Sequence, residues 1–129
     1  MTANAALISE YFVAFDNKVK TARSNAASYR QDVADQAANP TVSAFDLADS
    51  VNKLAEAQGA LAYWSRMRQV AEYALENGSD GNVSDLFDRE TISALTRGAD
   101  DAWSGRGNDS KRAYFDGLRA AAADLRWVA

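Results

Sequence analysis

Residues 43–77 read SAFDLADSVNKLAEAQGALAYWSRMRQVAEYALEN, and this stretch decides the fold. Leu47, Leu54, Leu61 and Leu75 recur at seven-residue intervals, with Arg68 in the one missing place and Val51 supplying a four-residue step. That spacing predicts a helix carrying an apolar stripe along a partner. At 1.5 Å per residue it is roughly 50 Å long. The second half carries another apolar face. Tyr63, Met67, Val70 and Ala74 fall within about 60° of one another at 3.6 residues per turn, away from the leucines. One end of this helix is therefore expected to be wrapped on two sides and the other on one.

Working outward, residues 4–38 predict an earlier long helix. Ile8, Phe12, Phe15, Val19, Ala22, Ala26, Tyr29 and Val33 step by fours and threes, and Leu7 and Tyr11 widen the start. Asn39-Pro40 ends it, because proline disfavours helical geometry in the residue before it and has no N–H for the ladder. Ser43, three residues before Asp46, is a suitable N-cap for the next helix. So short a connection makes the two helices antiparallel. Folding the chain at residues 40–41 sets Ala22 and Ala26 opposite Gly59 and Leu54. Phe12 and Phe15 then fall near Ser65 and Arg68, beside Trp64.

Asn77-Gly78 is a helix stop, with glycine available for a left-handed position. Two shorter helices follow, over residues 85–103 (Leu86, Ile92, Leu95, Ala99 and Trp103 inward) and 110–128 (Tyr114, Leu118, Ala121, Leu125 and Val128 inward). The expected architecture is all-α and a single domain over residues 1–129. Residues 1–78 form a long antiparallel hairpin in the manner of a coiled coil. Residues 79–129 form two shorter helices that complete a four-helix bundle at one end. Residues 20–58 then project as an arm, with more apolar seam than two helices can bury.

Composition limits the chemistry. The 129 residues are 47% hydrophobic and 25% charged, with a net charge of −4, one proline, and neither cysteine nor histidine. Disulfides and thiolate nucleophiles are excluded, as are imidazole bases and the commonest metal ligands. The N-terminus lacks a signal pattern and no run approaches a membrane span, so a cytoplasmic globular protein is expected. Acids and bases alternate along the chain, which does not favour a nucleic-acid partner.

Four groups of residues remain as candidate sites. Asp32 and Asp35 close the first helix and Asp46 and Asp49 open the second, so four carboxylates flank one turn where a hard cation such as Mg²⁺ is conceivable. Paired acids on antiparallel helices resemble the magnesium sites of all-α nucleotide pyrophosphohydrolases. That family mostly uses Glu at a longer separation, so no residue role carries over. Arg106, Lys111 and Arg112 surround a Gly-rich loop entering a helix N-terminus, a candidate anion site. Asp80, Asn82 and Ser84 match the first ligand positions of a calcium loop, which then fails at Asp85 and Thr91. Trp103-Ser104-Gly105 resembles the Trp-x-Gly turn of small hairpin proteins exported by type VII secretion, but lies outside the turn between the long helices. For contact with a partner, Tyr29, Val33, Val51 and Leu54 on the arm, together with the off-stripe Trp127, are the candidates.

The expected function is accordingly a non-enzymatic interaction or assembly module, a helical subunit, adaptor or inhibitor. It binds another protein, or a second copy of itself as a homo-oligomer, through the hairpin, with no cofactor. Small acidic helical proteins of this kind are common among phage parts and inhibitors of host factors. The alternative is a Mg²⁺-dependent nucleotide hydrolase working at the acidic tip.

Overall fold

The structure, a computed structural model, describes residues 3–78, 82–103 and 109–125. Every element among them is a helix: α1 (Ala3–Ala37), α2 (Ala44–Asn77), α3 (Val83–Trp103) and α4 (Asp109–Ala123). No described helix is long and apolar enough to cross a membrane.

The helix ends follow local chemistry. After α1 the Asn39 side chain accepts hydrogen bonds from the Thr41 N–H at 3.0 Å and the Thr41 hydroxyl at 2.8 Å, closing the turn around Pro40. Ser43 Oγ accepts from the Asp46 N–H at 3.1 Å and caps α2. Gly78, at φ 80°, ends α2 and donates its N–H to Ala74 O at 2.8 Å. Asn82 Oδ1 accepts from the Ser84 N–H at 2.9 Å, which starts α3 two residues before the expected boundary. Asn82 and Ser84, read above against a calcium loop, thus serve as a helix cap. α3 runs unbroken through Gly98, where the Phe115 ring of α4 packs close to the backbone. Described helix in α4 stops at Ala123, five residues short of expectation, with the Asp124 N–H turning back to Ala121 O at 3.0 Å.

α1 and α2 run in opposite directions along each other. Ser50 Oγ donates to Gln36 Oε1 at 2.7 Å near the turn. Towards the far end Arg68 Nη1 meets Asp16 Oδ1 at 3.3 Å, and the Phe15 and Trp64 rings lie 5.9 Å apart. The Arg68 guanidinium also stacks over Phe12 at 6.0 Å, in the expected register. α3 runs back against α2: Arg66 Nε donates to Glu90 Oε1 at 2.6 Å, and Tyr63 Oη and Thr91 Oγ1 share a buried bond of 2.8 Å. α4 then follows α2 in the same direction, from Ser110 near Asn52 to Leu118 near Gly59.

The core forms where α1, α2 and α3 meet. Phe15 packs edge-on to Phe87 at 5.1 Å, Tyr11 lies 4.7 Å from Phe87, and Ile8, Val19, Tyr63, Trp64 and Met67 close around them. The expected second face of α2 is buried at Tyr63, Met67 and Ala74, while the leucine stripe and parts of the α3 and α4 faces are corrected. On α2 the buried residues are Ala55, Gly59, Tyr63, Trp64, Met67, Ala71 and Ala74, whereas Leu47, Leu54 and Leu61 are half-buried and Leu75 is exposed. The aromatic and methionine side chains offer more area to bury than the leucines, and the small residues admit a second helix. On α3 the inward series is Val83, Phe87, Thr91, Ala94 and Ala102, and Ile92 is 65% exposed. On α4 it is Ala113, Phe115, Gly117, Leu118 and Ala121, with Tyr114 turned to the surface.

Gly59 is also reassigned. It faces α4 rather than Ala22: a Cβ there would overlap the Tyr114 carbonyl oxygen, and a Cβ on Gly117 would overlap that of Glu56. Two glycines at one crossing let the backbones of α2 and α4 touch. In consequence α4 covers α2 up to Asn52, and the stretch expected to project uncovered is shortened at its base. Ala22, Ala26 and Ala55, all within residues 20–58, are buried. No α1 Cα approaches an α4 Cα within 8 Å among the described residues, so the two flank α2 from separate sides.

Candidate interaction surface

Beyond Asn52 nothing described covers the outer end of the α1–α2 pair. From residue 27 to residue 51 no side chain is fully buried, and only Val33, Gln36, Val42, Leu47, Ser50 and Val51 are half-buried. Phe45, in the first turn of α2, is 83% exposed. The ring adds little to the core and is more exposed than Tyr73 at 68% or Ile92 at 65%.

Next to it α2 presents Ala44, Leu47, Ala48 and Val51, the near-continuous apolar side of two turns. They line an open groove of ≈ 500 Å³ that ends against Asn52 and the first α4 residues, Asp109 and Ser110. Ser110 Oγ donates to Asn52 Oδ1 at 3.4 Å, which fixes that end. Among the described charged residues only Asp109 lines the groove; residues 28–52 carry Asp32, Asp35, Asp46 and Asp49 against Arg30, and Lys111 and Arg112 follow Asp109 on α4.

The candidate residues distribute unevenly over this surface. Val51 lines the groove, while Leu54 and Val33 are half-buried between or beside the paired helices. Tyr29, 37% exposed, lies in a different groove of ≈ 350 Å³ between α1 and α4, floored by Ala57, Ala60 and Trp64. Trp127 and Arg106 lie outside the described residues. Lys111 and Arg112 stand exposed on the first turn of α4 behind Asp109, with Lys111 near Tyr114 and Asp101. Asp80 also lies outside the described residues.

The four tip carboxylates are not gathered. Asp35 accepts from Gln31 Nε2 at 2.8 Å on its own helix, and Asp49 pairs with Lys53 Nζ at 3.4 Å, also on its own helix. Among the described residues no three potential metal-ligating side chains come together.

Titration is perturbed elsewhere. Burial pushes the Tyr63 phenol above its ordinary value, opposed by the bond to Thr91 and reinforced by the Asp88 carboxylate. Burial also raises Tyr114, with Asp101 adding to the shift. The hydrogen bond from Lys20, 3.0 Å away, leads the interactions that hold Asp16 below the usual carboxylate range. None of the three lines the groove on α2.

Phe45 is the residue that periodicity overlooks. It precedes Leu47 by two positions, about 200° round the helix from the leucine series, so it drops out of any stripe. Its signal in the sequence is the reverse of a stripe: a lone large apolar side chain beside Asp46 and Asp49 in a helical first turn.

Compared with protein-family models, curated proteins and solved structures, the chain matches none. The functional reading therefore rests on the geometry alone.

Proposed function

We propose that the chain is a non-enzymatic protein–protein interaction or assembly module that works through its paired long helices. In this reading α1 and α2 form a hairpin, α3 and α4 build a four-helix body around one end, and the other end is the arm that meets a partner. The carrying observation is the apolar strip that α4 stops short of: Phe45 in water, beside the groove of Ala44, Leu47, Ala48 and Val51. A helix pair with an apolar side is stabilised by whatever covers that side. The partner is a different protein or a second copy of this chain.

Light scattering combined with site-specific photocrosslinking tests the proposal. A mass above that of one chain that falls to one chain in Phe45→Ser indicates self-assembly. A monomer that forms adducts in cells from a photoreactive residue at position 45, and not from one at exposed Arg89 on α3, indicates a separate partner. A monomer with equal or no adducts at both positions overturns the proposal.

A further inference from the structure

Of the asparagines in the chain, Asn77 alone is followed by glycine. The backbone nitrogen after an asparagine can attack its side-chain amide carbon, and a Cβ on that next residue stands in the way. Glycine has none. Asn39 precedes Pro40, whose nitrogen has no hydrogen to lose. Asn17, Asn25 and Asn52 lie inside α1 and α2 and precede residues with side chains.

The end of α2 both offers this reaction and restrains it. Asn77 and Gly78 are exposed, and a Cβ built on Gly78 would meet nothing within 4 Å, so the site is open to water. Both reacting nitrogens are nevertheless engaged. The Gly78 N–H, whose nitrogen is the nucleophile, donates to Ala74 O at 2.8 Å. Asn77 Nδ2, the leaving nitrogen, donates to Tyr73 O at 3.0 Å. An N–H bound to a carbonyl resists losing its proton. A side chain folded back towards the helix N-terminus is turned away from the nitrogen ahead of it.

We infer that Asn77-Gly78 is a site of intramolecular deamidation, latched by the last turn of α2 and released when that turn opens. In the open turn Gly78 N gives its proton to solvent base and bonds to Asn77 Cγ. The Cγ–Nδ2 bond breaks, and Nδ2 takes up a proton and leaves as ammonia. Water then opens the cyclic imide. Attack at Cγ gives aspartate, and attack at the backbone carbonyl carbon gives isoaspartate. Either product puts a carboxylate beside Glu76, at the helix end where the carbonyls already carry partial negative charge. Isoaspartate also adds a methylene to the main chain, which displaces Gly78 N from Ala74 O. Gly78 lines a groove of ≈ 500 Å³ with Val70 of α2 and Leu86 of α3, so the change falls where those two helices meet.

The test incubates the full chain beside a peptide of residues 70–82 in mildly alkaline buffer. Peptide mapping by mass spectrometry follows aspartate and isoaspartate at position 77. Two hydrogen bonds of ordinary net strength make the open turn about a one-in-ten state, so the chain is expected to convert about tenfold more slowly than the peptide. Within the chain, Asn77 is expected to convert faster than any other asparagine. Glu76→Gly, at an exposed position, weakens the turn and is expected to raise the rate about threefold in the chain and not in the peptide. A urea midpoint measured in parallel shows that this variant is still folded. Equal rates in chain and peptide overturn the latch. A Glu76→Gly effect that is absent, or the same in both, overturns release by opening of the turn. Conversion at Asn77 no faster than at the other asparagines of the folded chain overturns the site.

Discussion

The α2–α4 crossing gives the sharpest test of the packing. Gly59→Ala adds one methyl group on α2, directly under α4. The new Cβ overlaps the Tyr114 carbonyl oxygen and lies 2.9 Å from its carbon and 3.0 Å from Leu118 N, where ordinary contact begins near 3.4 Å. These are backbone atoms of a regular helix, so no rotamer change relieves them, and α4 must move outward by on the order of an ångström. Glycine to alanine in a helix interior is worth about 1 kcal/mol in favour of alanine. Overpacking costs about 1–3 kcal/mol, and a rigid obstacle puts this site at the upper end. The net expectation is a loss of about 2 kcal/mol, or roughly 6–12 °C in Tm for a domain of this size. Gly117→Ala meets Glu56 in the same way and should cost a similar amount. The double variant should cost clearly less than the sum, because the first methyl already lifts α4 off the second. Gly98→Ala is the control: its Cβ meets the edge of the Phe115 ring at 2.8 Å, a side chain that can swing, so the change should be near neutral. Urea unfolding followed by circular dichroism measures all four. If Gly59→Ala is stabilised by about 1 kcal/mol, helix propensity has prevailed and the close crossing is refuted.

The other perturbations follow from burial. Tyr63→Phe leaves Thr91 Oγ1 buried with only Met67 Sδ, 3.9 Å away, as a partner, and should cost about 1–2 kcal/mol by urea denaturation. Its pH dependence has a definite sign. The native phenol titrates above the unfolded one, so Tyr63 contributes full stability below the unfolded value of 10.0 and loses it as pH rises through the native one. The variant's urea midpoint should therefore fall less steeply above about pH 10, not flatten completely, because Tyr114 is shifted the same way. Leu61→Ala, at a half-buried position, should cost about 1–2 kcal/mol, while Met67→Ala in the core should cost about 2–5 kcal/mol; equal costs would restore the leucine stripe as the main seam. Phe45→Ser should leave the thermal midpoint unchanged within about 0.5 kcal/mol of stability, and a larger loss would mean the ring packs on the fold itself.

Periodicity located the helices well because their ends are chemical. Ser43, Pro40 and Gly78 act within one turn of themselves, so their effects can be read locally. The pairing of Phe12 with Arg68 and of Phe15 with Trp64 was also legible, since a short connection, residues 38–43, fixes the register of the helices it joins. The second apolar face of α2 was legible too, since Tyr63, Met67 and Ala74 are buried as their spacing implies. What the pattern could not rank is the two faces: Leu54 and Leu61 repeat as a coiled-coil seam does, yet the deeper burial goes to Tyr63, Trp64 and Met67, because α3 supplies Phe87 and Thr91 to that side. Gly59 was read against α1 because α1 is its neighbour in a two-helix folding argument. Only the matching Gly117, fifty-eight positions on, turns it towards α4. The candidate surface was half legible. Val51 lay on the expected arm, but the groove is lined at one end by Asp109 and Ser110 of α4, and Phe45 fits no repeat.

The same unevenness of burial fixes how the molecule should move. Residues 8–26 of α1 and 55–74 of α2 are held by the aromatic core and by α3 and α4, so their amides should exchange only when the whole domain unfolds. Residues 27–37 and 44–51 have each other, the Gln36–Ser50 bond and half-buried Val33 and Leu47, which is little for a pair of isolated helices. They should open locally and exchange with a free energy well below the global value. A partner covering this end would raise protection there first and at the base hardly at all, since it binds the closed form of the segment that opens. Hydrogen exchange by mass spectrometry on the free protein resolves the two zones. Uniform protection along α1 and α2 in the free protein would show that the outer helices need no cover, and the reason for seeking a partner there would be gone.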